Sequence, residues 1–305
     1  MSVILDFDGT ITARDTIGNL ADFAIAHRRQ TQQHAGEGDH LAAAWAGILK
    51  AYAEDFDANV RGRQPPEAER TTLAQEVAYL RALRPVEHRS VRRVEAARLF
   101  AGMNASLLFS AGEEAVGRGD VRVRESFAAF VQAVRQREGR VAVVSVNWSA
   151  AWIRGVMAAA GVGPADEVAV VANEITPEGR IVGPEELHRE RGNEAEPEEE
   201  GGADPALLAT SEDKLRAMRA IMAENGADPS GAVYFGDSAT DLECLVVGHG
   251  VVIADDEEGK LLKALRRVGY DVPHISSSKG AGNGSLFWAR NFQEVLDGGL
   301  LDREE

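Results

Sequence analysis

Residues 1–12 read MSVILDFDGTIT, and this stretch decides the fold class. Residues 2–6 form a short apolar run that stops at a charge, which is typical of a buried parallel strand. Asp6 and Asp8 then stand two residues apart, with Gly9 directly behind them. Two like charges add nothing to the stability of a strand end. The pair is therefore either a turn with solvated carboxylates or part of a functional site.

Strand-like and helix-like segments alternate over the second half of the chain. Between positions 14 and 119, by contrast, apolar residues recur at helical spacing and no segment resembles a strand. We therefore predict an α/β fold: a Rossmann-like parallel-sheet core at 1–13 and 120–305, interrupted after its first strand by a helical cap domain at 14–119. Besides the first strand, the pattern predicts strands and one hairpin at 141–146, 167–172, 174–182 (the hairpin), 232–236 and 249–253.

Three polar side chains stand at or beside the ends of predicted strands. They are Asp6, Ser145 and Asp237. In open parallel sheets, ligands bind outside the carboxyl ends of the strands. We therefore expect these three residues, which are far apart in the sequence, to converge on one site.

The aspartate pair suits attack on phosphorus. Asp6 can act as a nucleophile that becomes an aspartyl-phosphate. Asp8 can protonate the leaving oxygen and then deprotonate the hydrolytic water. Gly9 keeps a bulky side chain out of the turn, so that backbone N–H groups there can bind phosphate oxygens.

A carboxylate repels a phosphate dianion, so such a site needs cations. Asp237 and Asp241, in the segment GDSATD, offer hard oxygens for Mg²⁺ together with Asp6 and a backbone carbonyl near Asp8. Lys214 offers a second positive charge; the alternative is an ordinary surface lysine on an amphipathic helix that Ser211 caps. Ser145 can bind a phosphoryl oxygen, or it can be a buried hydroxyl bonded to backbone.

In this order, the motifs resemble those of the haloacid dehalogenase (HAD) superfamily. DFDGT at Asp6 and Asp8 is similar to its first motif, which carries the nucleophile and the acid/base, and GDSATD is similar to its fourth, which carries the metal-binding acids. Ser145 and Lys214 match its second and third motifs. The resemblance implies a HAD fold with a helical C1-type cap, as in phosphoserine-phosphatase-like members, and extends to a fungal group of such proteins.

Some positions depart from that pattern or could face the substrate. Val146 and Asn147 stand where phosphoserine phosphatases carry a glycine pair, and the inserted cap is longer than a minimal C1 cap, so serine phosphate is disfavoured. Asn147 is a candidate for phosphate binding. Asp15 is a candidate for contact with the substrate, and Trp148 either lines the pocket or belongs to the core.

Composition excludes several classes of protein. The net charge of −16 argues against a nucleic-acid partner, and no apolar run is long enough to span a membrane. Cys244 is the sole cysteine, which points to a reducing compartment, and we expect a cytoplasmic protein. The acidic stretch 190–204 is interpreted as a solvated loop, and the glycine-rich stretch 279–285 as a flexible connection.

The leading hypothesis is a Mg²⁺-dependent phosphatase of a small phosphorylated metabolite. A phosphomutase would use the same aspartates, and a HAD-like regulatory or binding protein could retain the site without turnover. Dehalogenation is disfavoured, because that chemistry needs no acid at the position of Asp8. The sequence identifies neither the substrate nor the oligomeric state.

Overall fold

The computed structural model of the chain describes residues 1–31, 37–164, 168–191, 204, 206–277 and 286–302. Short apolar runs form its strands, which are β1 (Ser2–Leu5), β2 (Arg140–Ser145), β3 (Ala169–Ala172), β4 (Glu174–Ile175), β5 (Ile181–Val182), β6 (Ala232–Gly236), β7 (His249–Ile253) and β8 (Leu286–Ala289). Six of them form one parallel sheet in the order β3-β2-β1-β6-β7-β8, and β4 and β5 pair as a separate antiparallel hairpin. The predicted parallel-sheet α/β fold is confirmed.

Helices connect and cover these strands. Those in the described residues are α1 (Ile17–Thr31), α2 (Glu37–Arg61), α3 (Leu73–Arg81), α4 (Arg84–Ala96), α5 (Ala105–Gly117), α6 (Phe127–Gln136), α7 (Ala150–Ala159), α8 (Glu185–Arg191), α9 (Ser211–Glu224), α10 (Leu242–Val247), α11 (Lys260–Arg267) and α12 (Phe292–Gly298). The five helices α1 to α5 lie between β1 and β2, in the segment predicted to be the cap. None of the helices in the described ranges is both long and apolar enough to cross a bilayer.

The sheet is buried on both faces, which explains why its strands are continuous apolar runs. Val3 and Leu5 of β1 belong to one hydrophobic cluster, and Ile4, between them, belongs to the other. In the centre of the sheet, Leu5 is paired with Val143 of β2 on one side and with Phe235 of β6 on the other. The carboxyl ends of β1, β2 and β6 therefore lie side by side, where Asp6, Ser145 and Asp237 were expected to meet.

The inserted helices contact the core through ion pairs near α9. Arg81 at the end of α3 pairs with Glu243 of α10, and Arg84 at the start of α4 pairs with Asp213 of α9 at 2.7 Å. Leu80 of α3 is buried in the same hydrophobic cluster as Leu215 of α9. The segment from α3 to the start of α4 is thus attached to the core beside the helix that carries Lys214.

The structure corrects several predicted details. Thr210, not Ser211, caps α9: its side chain accepts a hydrogen bond from Asp213 N, and the Ser211 hydroxyl donates instead to Glu243. Strand β8 was not predicted, because a run of four apolar residues is too short to identify. The glycine-rich stretch 279–285 lies outside the described residues.

The interpretation of 190–204 as a solvated loop is wrong at both of its ends, because one end is helical and the other is buried. Residues 190 and 191 belong to α8. Asp204 is buried, and its carboxylate accepts hydrogen bonds from the backbone N–H groups of Gly183 and Ala206. Residues 192–203 of the acidic stretch lie outside the described residues.

Candidate active site

Three carboxylates meet at the carboxyl edge of the sheet. Asp6 follows β1, Asp237 follows β6, and Asp241 lies in the short helical turn that comes next. The Asp6 N–H donates to Phe235 O at 2.8 Å, which holds the two strand ends together. Each carboxylate offers an oxygen that lies within 4.8 Å of the other two. These residues form the three-acid cluster.

Lys214 joins two members of this cluster. Its Nζ lies 2.7 Å from Asp6 Oδ1 and 2.7 Å from Asp241 Oδ1. Tyr234 donates its hydroxyl hydrogen to the same Asp241 oxygen at 2.8 Å. Lys214, Asp6 and Asp241 are all buried, so Lys214 is not a surface residue. The interpretation of Lys214 as an amphipathic surface lysine is therefore wrong.

Burial and crowding change the acidities of the cluster. Burial raises the pKa of Asp6 well above its usual range, against the opposing charge of Lys214. Burial, and then the charge of Asp241, raise the pKa of Asp237 to about 7. Burial alone would lower the pKa of Lys214, but the charges of Asp241 and Asp6 outweigh it and raise that pKa. A single ammonium thus faces three carboxylates.

This donor set fits a divalent cation. Carboxylate oxygens are the hard ligands that Mg²⁺ prefers, and the three acids lie close enough together to share one ion. A cation there would offset the excess negative charge that Lys214 leaves unbalanced. The carboxylate of Asp8 is outside this three-acid cluster, so the side chains available to a metal are those of Asp6, Asp237 and Asp241.

Gly9 lets the chain turn tightly against the three-acid cluster. Its φ is +81°, in the left-handed region that favours glycine, and a Cβ built there would overlap the carboxylate of Asp237. The Gly9 carbonyl accepts hydrogen bonds from Nε and Nη2 of Arg124, at 3.1 and 3.0 Å. Thr10 Oγ1 lies 3.3 Å from Asp237 Oδ1, to which it donates. The loop is therefore held firmly between β1 and β6.

Asp8 has its own set of hydrogen bonds. Thr16 donates to Asp8 Oδ1 from its backbone N at 2.8 Å and from its hydroxyl at 2.7 Å. The side-chain amide of Asn147 donates to Asp8 Oδ2 at 2.7 Å. Burial, and then the nearby charge of Asp15, raise the pKa of Asp8 to about 6. A carboxyl group with that pKa can exchange a proton near neutral pH.

The remaining predicted residues lie around this pair. Ser145 is buried at the end of β2, and its Oγ accepts a hydrogen bond from Asn147 N at 3.2 Å. Asn147, a candidate for phosphate binding, directs its amide to Asp8 instead. Trp148 is buried in the larger hydrophobic cluster and also lines a cavity, which Asp15 lines as well. The core interpretation of Trp148 is therefore confirmed, and its contact with a substrate stays a prediction.

Three residues that contact the site were not predicted from the sequence. Thr16 holds Asp8, Tyr234 holds Asp241, and Arg124 holds the Gly9 carbonyl. The tyrosine hydroxyl in the otherwise apolar strand AVYFG was a signal, because a buried hydroxyl needs a partner. Nothing in the sequence around Thr16 or Arg124 marks their contacts.

Known proteins similar to this chain include a fungal one. A CTO1 family protein of Schizosaccharomyces pombe is 29% identical over 259 residues, which cover 81% of this chain and 79% of that relative. Among solved structures, a phospho-aspartyl intermediate analogue of phosphoserine phosphatase has a TM-score of 0.49 at 13% identity, covering 97% of both chains. Cytosolic 5'-nucleotidase IIIB bound to cytidine has a TM-score of 0.46 at 15% identity, covering 88% of this chain and 77% of its own.

A protein-family model also matches this chain, over a range that contains both the three-acid cluster and Lys214. It matches residues 3–246, a range that runs from β1 to α10. That match confirms the resemblance drawn from the DFDGT and GDSATD segments: the chain belongs to the haloacid dehalogenase-like hydrolase family.

Proposed function

We propose that the chain is a Mg²⁺-dependent phosphatase that hydrolyses a small phosphomonoester through an aspartyl-phosphate on Asp6. One observation carries the proposal: the buried Asp6 carboxylate is bound to Lys214 and has an oxygen within 4.8 Å of two further acids, which places a nucleophile beside a fixed cation and beside ligands for a metal ion that would neutralise phosphate charge. Membership of a hydrolase family agrees with it.

Asp6 and Asp8 have separate roles in the proposed reaction. An Asp6 oxygen forms a bond to phosphorus as the bond from phosphorus to the leaving oxygen breaks, and the protonated Asp8 gives its proton to that oxygen. Asp8, now ionised, takes a proton from water as the water oxygen bonds to phosphorus and the bond to Asp6 breaks. The raised pKa of Asp8, about 6, supports both roles.

The cationic groups receive the phosphoryl charge. Asp6, Asp237 and Asp241 would hold Mg²⁺, which supplies a Lewis acid for the phosphoryl oxygens. Lys214 keeps Asp6 oriented and adds a fixed positive charge. The N–H of Gly9 donates to Thr12 Oγ1 at 3.2 Å, so the remaining donors that we assign to the phosphate are the Ser145 hydroxyl and the backbone N–H groups on either side of Gly9.

The substrate that we propose is a small metabolite, because the cavity that Asp15 and Trp148 line is small, at about 330 Å³. A nucleic-acid partner is disfavoured by the net charge of −16. We place the protein in the cytoplasm, a reducing compartment, since its sole cysteine, Cys244, is buried and cannot form an internal disulfide.

Release of inorganic phosphate from a panel of phosphomonoesters, with Mg²⁺ and with EDTA, tests the proposal. We expect release that needs Mg²⁺ and that Asp6→Asn abolishes, while Asp256→Asn, a change at an exposed acid, leaves it intact. Full turnover by Asp6→Asn would contradict the mechanism. Isomerised sugar phosphate without free phosphate would indicate a phosphomutase, and bound Mg²⁺ with no turnover of any ester would indicate a binding protein.

A further inference from the structure

A cavity of about 330 Å³ lies between the inserted helices and the core, and it is lined by residues on either side of Thr16 and of Asn147, the two residues that bind Asp8. Val146 and Trp148 line it from the core side, and they flank Asn147, whose amide is bound to Asp8. Asp15 lines it as well, and its charge acts on Asp8. The cavity therefore adjoins the residues that bind Asp8, the group that donates a proton to the leaving oxygen in the proposed mechanism.

Aromatic and aliphatic side chains form most of the cavity wall. Trp45 and Tyr52 come from α2, and Trp148 comes from the loop after β2. The Trp45 and Trp148 rings meet edge to face, with their centroids 6.1 Å apart. Ile48 and Leu49 extend the apolar wall along α2. This wall favours a leaving group with hydrocarbon surface, and its aromatic faces carry the partial negative charge that attracts cations.

Two carboxylates, Asp15 and Glu87, also line this cavity. Asp15 accepts a hydrogen bond from the backbone N of Ile17 at 2.9 Å, and Glu87 accepts one from the Tyr52 hydroxyl at 2.9 Å. Neither has an ion-pair partner within the described part of the chain, and no Lys, Arg or His is among the lining residues there. Among the lining residues that the structure describes, the cavity thus has two acidic side chains and no basic one.

The charges of Asp15 and Glu87 both act on the Tyr52 hydroxyl. The pKa of Tyr52 is raised, first by burial, then by the charge of Glu87 and its hydrogen bond, and then by the charge of Asp15. Burial likewise raises the pKa values of Glu87 and Asp15. Glu87 is partly buried without a cationic partner among the described residues, so its carboxylate has a desolvation cost that a cationic ligand would reduce, whereas Asp15 is exposed and contributes its charge.

We propose that this cavity binds the leaving group of the substrate, and that this leaving group is a small alcohol bearing an organic ammonium. The inference rests on the proposed phosphatase function. The hydrocarbon surface of the ammonium group would contact Trp45, Tyr52 and Trp148, while its charge would be balanced by Asp15 and Glu87. A leaving group that carries a carboxylate or a second phosphate would meet two like charges and no basic side chain.

Matched substrates isolate the role of the charge. Choline phosphate and 3,3-dimethylbutyl phosphate have nearly the same shape, but only the first has a positive nitrogen. We expect kcat/KM to be at least about tenfold higher for choline phosphate, the factor that a cation–π contact and one close ion pair supply. A third ester, 4-phosphooxybutanoate, carries a carboxylate instead, and we expect it to be the poorest of the three.

Variants test whether the preference for the cationic ester arises from the cavity. Glu87→Gln and Asp15→Asn each remove a charge but retain the oxygen that accepts the observed hydrogen bond. We expect each to reduce the ratio of kcat/KM between choline phosphate and its neutral analogue, mainly through KM for the cationic ester. Glu113→Gln removes an exposed carboxylate of α5 that does not line the cavity, and we expect that ratio to stay unchanged.

Binding separates the failure of this inference from the failure of the proposed function. Calorimetric titration of the Asp6→Asn variant with choline phosphate and with 3,3-dimethylbutyl phosphate measures the preference without turnover. Equal affinities, or equal turnover of the two esters by the unsubstituted protein, would overturn the ammonium proposal and leave a phosphatase with another substrate. Preferential binding of choline phosphate without phosphate release from any ester would support the cavity and overturn the phosphatase.

Discussion

The Lys214 ammonium lies 2.7 Å from the Asp6 carboxylate, and both side chains are buried. A second buried carboxylate, that of Asp241, binds the same ammonium at 2.7 Å. Buried charges of this kind are tolerated only when each has a partner. The lysine therefore has two tasks, since it stabilises the folded chain and also orients the Asp6 carboxylate while opposing the rise in its pKa.

Removal of Lys214 should destabilise the protein strongly. Lys214→Met leaves Asp6 and Asp241 buried without their counter-charge, and we expect the free energy of unfolding at pH 8 to fall by about 3–5 kcal/mol. Lys263→Met is the matched control, because Lys263 is exposed and its ion pair with Glu258 contributes about 0–1 kcal/mol. Urea unfolding in EDTA measures both, and similar losses for the two variants would contradict this account of the cluster.

An alanine at Gly9 should disturb Asp237 as well as the backbone. Gly119 has φ of +79°, close to the +81° of Gly9, but a Cβ at Gly119 meets nothing within 4 Å. We expect Gly119→Ala to cost about 1–2 kcal/mol for the left-handed conformation alone. Gly9→Ala should cost more, since its Cβ would overlap the Asp237 carboxylate.

The two glycine variants are compared by urea unfolding and by Mg²⁺ titration. Displacement of Asp237 should weaken Mg²⁺ binding in Gly9→Ala, whereas Gly119→Ala should bind the ion as the unsubstituted protein does. If Gly9→Ala bound Mg²⁺ normally, the close approach of Gly9 to Asp237 would have no bearing on the metal.

The Arg84–Asp213 ion pair should maintain the start of α9, which carries Lys214. Asp213 is almost fully buried and belongs to the capping box with Thr210. We expect Arg84→Met to lower the free energy of unfolding by about 1–2 kcal/mol and to reduce kcat, because the helix that positions Lys214 loses an anchor. Arg89→Met is the control, since Asp55, the partner of Arg89, keeps a 2.7 Å ion pair with Arg93, whereas Asp213 keeps the longer 3.8 Å contact with Arg216. A normal kcat in Arg84→Met would show that this anchor does not position Lys214.

Much of the three-acid cluster could be predicted because strand ends in a parallel sheet converge. The apolar runs before Asp6 and Asp237 indicated two strands, and their carboxyl ends are neighbours in the sheet. The order of the DFDGT and GDSATD segments then predicted the family. These inferences use local patterns and one general rule of sheet topology, so no knowledge of helix packing was needed.

Contacts that depend on helix packing could not be predicted. Asn147 binds Asp8 because of the backbone path after β2, and the sequence offered it only as a candidate for phosphate. Glu87 lies on α4 among several charged residues, and periodicity does not reveal which of them faces a cavity. The residues that would select a substrate are therefore the ones that the sequence leaves undetermined.

The carboxylate of Glu87, which has no ion-pair partner in the part of the chain that the structure describes, should lower stability near neutral pH. Burial raises its pKa above the ordinary value of 4.5, so the folded chain binds the proton more tightly than the unfolded chain does. The cost is absent below the unfolded pKa, grows as pH rises through the folded pKa, and is complete above it. Glu87→Gln removes this cost, and we expect it to raise the free energy of unfolding at pH 7 but not at pH 4.

Urea unfolding at the two pH values measures this difference, with Glu113→Gln as the control that should change little at either pH. Glutamine keeps an oxygen that accepts the Tyr52 hydrogen bond, so loss of that contact does not obscure the result. Lower stability of Glu87→Gln at pH 7 would mean that the carboxylate has a stabilising partner. Higher stability, combined with weaker binding of choline phosphate, would indicate that the charge is kept for a ligand at the expense of the fold.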